Sequence, residues 1–521
     1  MDRPVAGVDI GTTSLKAVVF GKEAEVLGAH AVDYPLYAPE PGAAEQDPEQ
    51  IYGAVEEGLS HAVKRSGLHP GDIACVCLSA AMHSVLAVDR RGRPLTRALT
   101  YADTRSTEQV REIRASGEAH ALYTRTGTPV HPMSPLPKLR WLAAKRPREF
   151  GEAHKFVSLK EYVLNRLFDE FVVDHSIASA TGLLDLSRLE WDPQALRAAG
   201  VEAERLSAPV PAGTVMTGLD RRTARRLNLD TETPFVVGAS DGCLATLGSG
   251  AIFPGRLSVT IGTSGALRTV VRAPVTDPLE RTFCYALTND HWVVGGPISN
   301  GGIVLRWFRE QLGGAEAAVA ESTERDPYDV MTELAATVPP GSGGLQFMPF
   351  ITGERAPSWD PHARGVLFGL ALEHTRAHII RALLEGVVLS LHSVDEAVRD
   401  IAEETDEIRA SGGFTKSRLW RQILADVFER RVRSLPLGYE ASCLGAAVLG
   451  AVAVGELDAI EDVEDLVEVE EELDPDPAAA GVYRRVKKAY ARLSEGFGPL
   501  FPVISELQES LPGGARQLPP E

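Results

Sequence analysis

The chain has 521 residues, 44% of them hydrophobic and 24% charged, so roughly two to four globular domains with cores of their own are expected. The formal net charge of −19 argues against a nucleic-acid partner, because proteins that bind nucleic acids need a basic surface. The sequence has no run of about eighteen apolar residues and no apolar signal-peptide core near its start, which predicts a cytoplasmic protein without a membrane partner.

Residues 5–32 predict three short strands joined by tight turns. The first turn, GTTS at residues 11–14, offers backbone N–H groups and hydroxyls that suit a phosphate group, although a plain hairpin uses the same residue types. Asp9 stands just before this turn in an apolar strand, where a carboxylate is costly unless it is paired or binds a cation. A hydrated Mg²⁺ beside a phosphate would satisfy Asp9. Capping of the turn's own N–H groups is the alternative.

Two loops that follow predicted strands carry side chains able to form directional hydrogen bonds. The first loop contains Met82 and His83, and the second, YADTR, contains Asp103 and Arg105. Together such loops could hold a polyol. Each loop alone is equally typical of an ordinary surface turn.

A strand, a turn and a helix are predicted over residues 234–250, and Asp241 lies between glycines at their junction. Proteins of the α/β class bind ligands at the carboxyl ends of their strands. In phosphoryl transfer to an alcohol, a carboxylate here can align the hydroxyl and accept its proton late in the reaction. A helix N-cap role for Asp241 is the alternative.

The second half repeats the hydroxyl-rich turn in VTIGTSG, with Gly262 in the place of Gly11 and Thr260 in the place of Asp9. Two such turns favour a phosphate group shared between two domains, with the metal held by only the first domain. Further along, SGGFTKS at residues 411–417 allows close approach of a flat or anionic ligand at a helix N-terminus. The two glycines could also form only a tight turn.

The repeated turns predict two similarly built α/β domains, at residues 1–250 and 251–500, followed by a partly disordered tail at residues 501–521. Apolar spacing and capping residues predict helices within both domains. Their approximate ranges are 47–65, 105–116, 138–146, 158–168, 300–311 and 374–398.

The order of the motifs resembles the FGGY family of carbohydrate kinases over about residues 5–455. The motifs are DIGTTSLK, MHS, YADTR, GASDG, TIGTSG, SNGG, GERAPSWDP and SGGFTKSRLWRQILAD. The resemblance implies two ribonuclease-H-like α/β domains, as in actin and hexokinase, with an active-site cleft between them. It also implies ATP and Mg²⁺ as cofactors, a small-molecule sugar substrate and, at the level of the family, a homodimer.

The resemblance assigns roles to individual residues. Asp241 is implied as the catalytic base, and Asp9 as the residue that organises Mg²⁺ through water. Implied nucleotide and phosphate contacts are Thr12, Thr13, Thr263, Gly302, Gly413 and Ser417, and implied sugar contacts are Met82, His83, Asp103, Arg105 and Asp241. Two positions depart from the family pattern, because Tyr101 replaces a usual Trp and Ser417 replaces a frequent Asn.

Within the family, the stretches EQDPEQIY, MHSVLAVD, KEYVLNRLF and VDHSIASATGLLDL are similar to bacterial gluconate kinases. This similarity implies transfer from ATP to D-gluconate, giving 6-phosphogluconate. A xylulose or other pentulose kinase is the alternative, and a non-catalytic actin-like ATPase is a more distant one. An anionic acceptor requires a cation in the sugar site of so acidic a protein. Arg105, His83 and Lys138 are the candidates.

Overall fold

The computed structural model describes residues 1–436 and 440–511. We number the strands of its two large sheets and the α-helices in chain order. The N-terminal sheet has six strands, arranged in the order β5-β6-β4-β1-β2-β3. They are β1 (Val5–Ile10), β2 (Ser14–Phe20), β3 (Val26–Asp33), β4 (Val76–Ala80), β5 (Val215–Met216) and β6 (Phe235–Ser240).

The C-terminal sheet has seven strands, arranged in the order β9-β10-β8-β7-β11-β12-β13. They are β7 (Arg256–Ile261), β8 (Gly265–Val271), β9 (Phe283–Ala286), β10 (Trp292–Ile298), β11 (Glu407–Ser411), β12 (Arg431–Ser434) and β13 (Glu471–Leu473). Smaller two-stranded ribbons flank both sheets.

The two sheets share one topology. In the N-terminal sheet, β1 pairs antiparallel with β2 and parallel with β4, and β4 pairs parallel with β6. In the C-terminal sheet, β7 pairs antiparallel with β8 and parallel with β11, and β11 pairs parallel with β12. The predicted pair of ribonuclease-H-like α/β domains is therefore confirmed.

The helices cover the faces of the sheets and agree closely with the predicted ranges. Asp47 caps the first helix, since its side chain accepts a hydrogen bond from the Glu49 N–H. The helices are α1 (Pro48–Ser66), α2 (Thr107–Ala115), α3 (Ala119–Thr126), α4 (Pro135–Lys145), α5 (Pro147–Glu152), α6 (Leu159–Phe168), α7 (His175–Ser179), α8 (Pro193–Ala199), α9 (Arg221–Leu227), α10 (Asp241–Gly248), α11 (Ile303–Gln311), α12 (Gly314–Thr323), α13 (Pro327–Ala336), α14 (Arg376–Arg399), α15 (Arg418–Phe428), α16 (Ala441–Val454), α17 (Pro477–Phe497) and α18 (Phe501–Ser510).

Helices α10 and α16 follow equivalent strands of the two domains and pack directly against each other. Glycine lets their backbones approach closely: a Cβ at Gly248 would lie 2.0 Å from the Ala441 carbonyl oxygen, and one at Gly445 would lie 2.0 Å from the Leu244 carbonyl oxygen. The crossing belongs to a hydrophobic cluster that contains residues from both halves of the chain. This helix pair therefore joins the two domains.

Helix α14 is the core helix of the C-terminal domain. Among the described residues it alone is long and apolar enough to cross a membrane, but 83% of its apolar window is buried inside the fold. Helix α18 forms the first part of the predicted tail, and its residue Phe501 packs into the C-terminal core. The rest of the tail, residues 512–521, lies outside the described residues.

Candidate active site

The turn between β1 and β2 leaves its N–H groups and hydroxyls available for a ligand. Two of its carbonyl groups are hydrogen-bonded to the protein. Tyr34 Oη donates to the Gly11 carbonyl at 2.7 Å, and Gln46 Nε2 donates to the Thr12 carbonyl at 2.7 Å. Within the described residues, neither the backbone N–H nor the hydroxyl of Thr12 or Thr13 has a hydrogen-bond partner. A set of outward N–H groups with fixed carbonyls is the arrangement that binds phosphate oxygens.

The turn between β7 and β8 is built in the same way. The N-terminus of α11 holds its carbonyls, since the Gly302 N–H donates to Gly262 at 2.7 Å and the Gly301 N–H donates to Thr263 at 3.1 Å. Gly301 must be glycine here, because a Cβ would lie 2.5 Å from the Ser264 carbonyl oxygen. Thr263 is exposed at the tip of the turn. The Gly302 N–H thus fixes the backbone of the turn between β7 and β8.

The carboxylate of Asp9 and the hydroxyl of Thr260 occupy equivalent positions in the two domains. Asp9 lies opposite Ser79 in the parallel pair of β1 and β4, and Ser79 Oγ donates to Asp9 Oδ1 at 2.6 Å. Thr260 lies opposite Ser411 in the parallel pair of β7 and β11, with their hydroxyls 2.9 Å apart. The strand pairing and the bond to a serine are the same in both domains, but only the N-terminal domain has a carboxylate at this position.

Asp241 is the first residue of α10, at the end of β6. Its Oδ1 accepts a hydrogen bond from the Gly242 N–H at 2.7 Å. The strand end before it is held by Lys160, whose Nζ donates to the Ala239 carbonyl at 3.0 Å and lies 2.6 Å from Asp174 Oδ2. Both charged side chains of this support are fully buried. The backbone that carries Asp241 is thereby fixed.

Asp9 lies near the start of the N-terminal domain and Asp241 near its end, and the two side chains are close enough for their charges to interact. Burial, followed by the repulsion from Asp241, raises the pKa of Asp9 to about 7. Burial also raises the pKa of Asp241, and the charge of Arg268 acts in the opposite direction. Two carboxylates held together in this way need a cation between or beside them when both are ionised.

The loop after β4 holds His83 in an uncharged state. Its backbone has a positive φ of 69°, and its Nδ1 lies 2.8 Å from the Ala180 carbonyl oxygen. Burial and the nearby charge of Lys138 lower the pKa of His83 to about 3. His83 is therefore neutral at physiological pH, and it does not supply the predicted substrate cation. A sugar hydrogen bond from its ring stays a prediction.

The YADTR loop is held by an internal charge cluster. Arg105 Nη2 contacts Asp103 Oδ2 at 2.6 Å and Glu45 Oε1 at 2.6 Å, and Arg105 Nη1 contacts Glu40 Oε1 at 2.7 Å. Its guanidinium also stacks on the ring of Trp141 at 4.4 Å. With each nitrogen against a carboxylate, Arg105 is satisfied inside the protein. A direct sugar contact from Asp103 or Arg105 stays a prediction.

Lys138 is fully buried beneath the same loops and has no free proton for a ligand. Its Nζ donates to the carbonyls of Met133 at 2.7 Å, Thr100 at 2.5 Å and His83 at 2.9 Å. These bonds use all three donors of the ammonium group. Lys138 therefore holds the MHS loop, the YADTR loop and the start of α4 together, and the structure contradicts its candidacy as the substrate cation.

Lys138→Met is expected to lower the free energy of unfolding by on the order of 3 kcal/mol, because three buried carbonyl groups would lose their hydrogen-bond donor. Urea denaturation followed by circular dichroism measures the change. Lys145→Met, at the exposed end of the same helix, is the matched control and should change stability by less than about 0.5 kcal/mol. Equal effects of the two variants would show that the carbonyls find other partners.

Two arginines that the sequence analysis did not select face the same region from the C-terminal domain. Arg268 on β8 lies against α10, because a Cβ at Gly242 would be 3.1 Å from its Nε and 3.0 Å from Met82 Cε. Arg355 donates to the Ile298 carbonyl at 2.8 Å and lies 5.8 Å from the ring centre of Tyr101. A charged residue inside the apolar strand GALRTVV was the available signal for Arg268.

The predicted nucleotide stretch lies at the end of β11. Gly412 has a φ of 100°, and a Cβ there would lie 2.6 Å from the Ile261 carbonyl oxygen. Gly413 has open space around it. Ser417 caps α15, since its Oγ accepts a hydrogen bond from the Trp420 N–H at 3.3 Å. The segment thus lies beside β7 and its turn, and contacts of Gly413 and Ser417 with a nucleotide stay predictions.

Comparisons with known proteins decide the family. Residues 5–248 match the N-terminal domain of the FGGY family of carbohydrate kinases, and residues 257–454 match its C-terminal domain. The chain belongs to the FGGY family of carbohydrate kinases. This FGGY kinase is 44% identical to a gluconokinase of Bacillus subtilis, over 97% of its own length and 98% of that protein.

Solved structures agree with this assignment. The FGGY kinase is similar to a gluconate kinase from Lactobacillus acidophilus with a TM-score of 0.91 and 31% identity, covering 96% of this chain and 99% of the other. The values are the same for a ligand-bound xylulose kinase from the same organism. The chain is therefore a carbohydrate kinase, an enzyme of a family that uses ATP. Similarity of fold therefore does not distinguish a gluconate kinase from a xylulose kinase.

Proposed function

We propose that this FGGY kinase transfers the γ-phosphoryl group of ATP to the 6-hydroxyl of D-gluconate, giving 6-phosphogluconate and ADP. The observation that carries the proposal is the 44% identity to a gluconokinase over 97% of the chain, against 26% to a xylulose kinase from Staphylococcus epidermidis over 93%. Arg268 and Arg355, which form no ion pair among the described residues and lie beside Met82 and Tyr101, agree with an anionic acceptor.

Asp241 is proposed as the base that aligns the acceptor hydroxyl and takes its proton. It stands at the end of β6 with its backbone fixed and with one oxygen held by the Gly242 N–H. A carboxylate is a weak base, but it suffices here because the proton leaves late in transfer to an alcohol. Met82 and His83 are proposed to line the acceptor site beside it.

The residues around Asp9 fit a magnesium ion. Asp9 Oδ2 has no hydrogen-bond partner within the described residues, and carboxylate oxygen beside a phosphate is a donor set that Mg²⁺ prefers. When bound, Mg²⁺ neutralises charge on the phosphate oxygens and orients them. Asp9 would hold it, and the turns at Thr12, Thr13 and Thr263 would hold the phosphate oxygens from the two domains.

A comparison of acceptors tests the proposal. With ATP and Mg²⁺, the kcat/KM for D-gluconate is expected to exceed the value for D-xylulose by at least about a hundredfold, because one well-placed charge contact and the hydroxyls of a six-carbon chain both favour gluconate. Glycerol serves as the control for unselective transfer. A preference for D-xylulose would make the chain a pentulose kinase. Hydrolysis of ATP that no sugar changes would favour the non-catalytic alternative.

A further inference from the structure

Arg268, on β8 of the C-terminal sheet, lies against α10 of the N-terminal domain. It lies three positions after Gly265, the first residue of β8, so its backbone is about 10 Å along the strand from the end of the phosphate turn. Its guanidinium touches the first turn of α10, where Nε and Nη2 would both be 3.1 Å from a Cβ at Gly242. Met82 Cε reaches the same point at 3.0 Å.

The guanidinium of Arg268 has no hydrogen-bonded or ion-paired protein partner among the described residues, although the charge of Asp241 is close enough to act on it. Its Nε is buried and has no hydrogen-bond acceptor, and within residues 1–436 and 440–511 no carboxylate lies within 4.0 Å of it. Removing a cation from water without pairing it is costly. In a chain with a net charge of −19, carboxylates are abundant, so a partly buried arginine without an ion pair indicates a position suited to an anionic ligand.

Arg355 adds a second positive charge at this place. Its guanidinium donates to the Ile298 carbonyl, and no carboxylate of the described residues forms an ion pair with it. Burial lowers the pKa of Arg268, and the charge of Arg355 is close enough to act in the same direction. The buried hydroxyl of Tyr285 lies near enough to both arginines to interact with their charges. Two cations and a hydroxyl group thus lie close together.

The three residues predicted as candidate substrate cations are not available to bind an acceptor carboxylate. Arg105 is surrounded by three carboxylates, Lys138 is bonded to three carbonyls, and His83 is neutral. Recognition of a carboxylate by arginine gives paired, charge-assisted hydrogen bonds, and it excludes a neutral sugar that would leave the arginine unpaired. The position fits the acceptor because Met82, a proposed acceptor contact, borders it.

We propose that Arg268, supported by Arg355, binds the carboxylate of a sugar-acid acceptor and makes this kinase prefer sugar acids over neutral polyols. The inference rests on the proposed function and adds the residues that select the acceptor. A role of Arg268 in tuning Asp241, or in contacting the transferred phosphoryl group, is the competing explanation and would affect all acceptors alike.

The test compares D-gluconate with D-glucitol, which has the same hydroxyl groups and a CH₂OH group in place of the carboxylate. The kcat/KM of each acceptor is measured for the wild type and for Arg268→Met. The ratio of gluconate to glucitol is expected to fall at least tenfold in the variant, mainly through a higher KM for gluconate, while the KM for ATP stays the same. Arg268→Lys, which keeps the charge, should retain part of the preference.

Arg272→Met is the control, because Arg272 is an exposed arginine just after the end of the same strand and its loss changes the net charge equally. The gluconate-induced rise in Tm provides a second readout that needs no turnover, and it should shrink in Arg268→Met but not in Arg272→Met. A proportional loss for both acceptors, with an unchanged ratio, would overturn the inference. A wild type that does not phosphorylate gluconate would instead overturn the proposed function.

Discussion

Asp241→Asn is expected to lower kcat by about a thousandfold or more with every acceptor, because the amide cannot take the proton of the hydroxyl. The substitution keeps the shape of the side chain and its acceptor for the Gly242 N–H, so the start of α10 should stay in place. A coupled assay for ADP measures the loss, and titration with ATP should give a dissociation constant close to that of the wild type.

Asp230→Asn is a matched control for this experiment. Asp230 is an exposed aspartate of the same domain, and its substitution makes the same change in charge. It should leave kcat within about twofold of the wild type. If Asp241→Asn kept more than a tenth of the activity, Asp241 would not be the base and its role would be to position α10.

Gly445→Ala is expected to destabilise the protein by about 3 kcal/mol or more, since the new methyl group would lie 2.0 Å from the Leu244 carbonyl oxygen of α10. Neither backbone can move without parting the two helices that join the domains. Because α10 begins at Asp241, the residual folded protein should also lose most of its kinase activity. Differential scanning calorimetry and the ADP assay give the two values.

Gly481→Ala separates the effect of close packing from that of a glycine in a helix. Gly481 lies inside α17, and no atom outside its own helix turn lies within 4 Å of the place that the alanine methyl group would take, so the alanine should stabilise the helix slightly. A similar loss of stability in both variants would mean that the crossing of α10 and α16 is less tight than the structure indicates.

The local pattern of the sequence predicted the frame of the molecule. Apolar strands interrupted by hydroxyl-rich turns placed Gly11 and Gly262 correctly between paired strands, and a carboxylate in an apolar strand marked Asp9. The difference between Asp9 and Thr260 also has a structural counterpart, since each bonds to a serine at the same place in its own sheet.

The partners of charged side chains could not be predicted in the same way. Arg105 and Lys138 have the same appearance in the sequence whether they face a ligand or the protein, and only the fold shows that Glu40, Glu45 and three carbonyls already satisfy them. Arg268 was missed because its neighbours Gly242 and Met82 lie on other elements of the chain. Such contacts depend on how the two domains meet.

The most direct test of the central claim is the stoichiometry of the reaction of the purified protein with ATP and Mg²⁺, measured with and without D-gluconate. We expect equal amounts of ADP and of a phosphate monoester at carbon 6 of gluconate by ³¹P and ¹³C NMR, and ADP near background when the sugar is absent. ADP that forms at the same rate without gluconate, or a monoester only with a neutral sugar, would contradict the account.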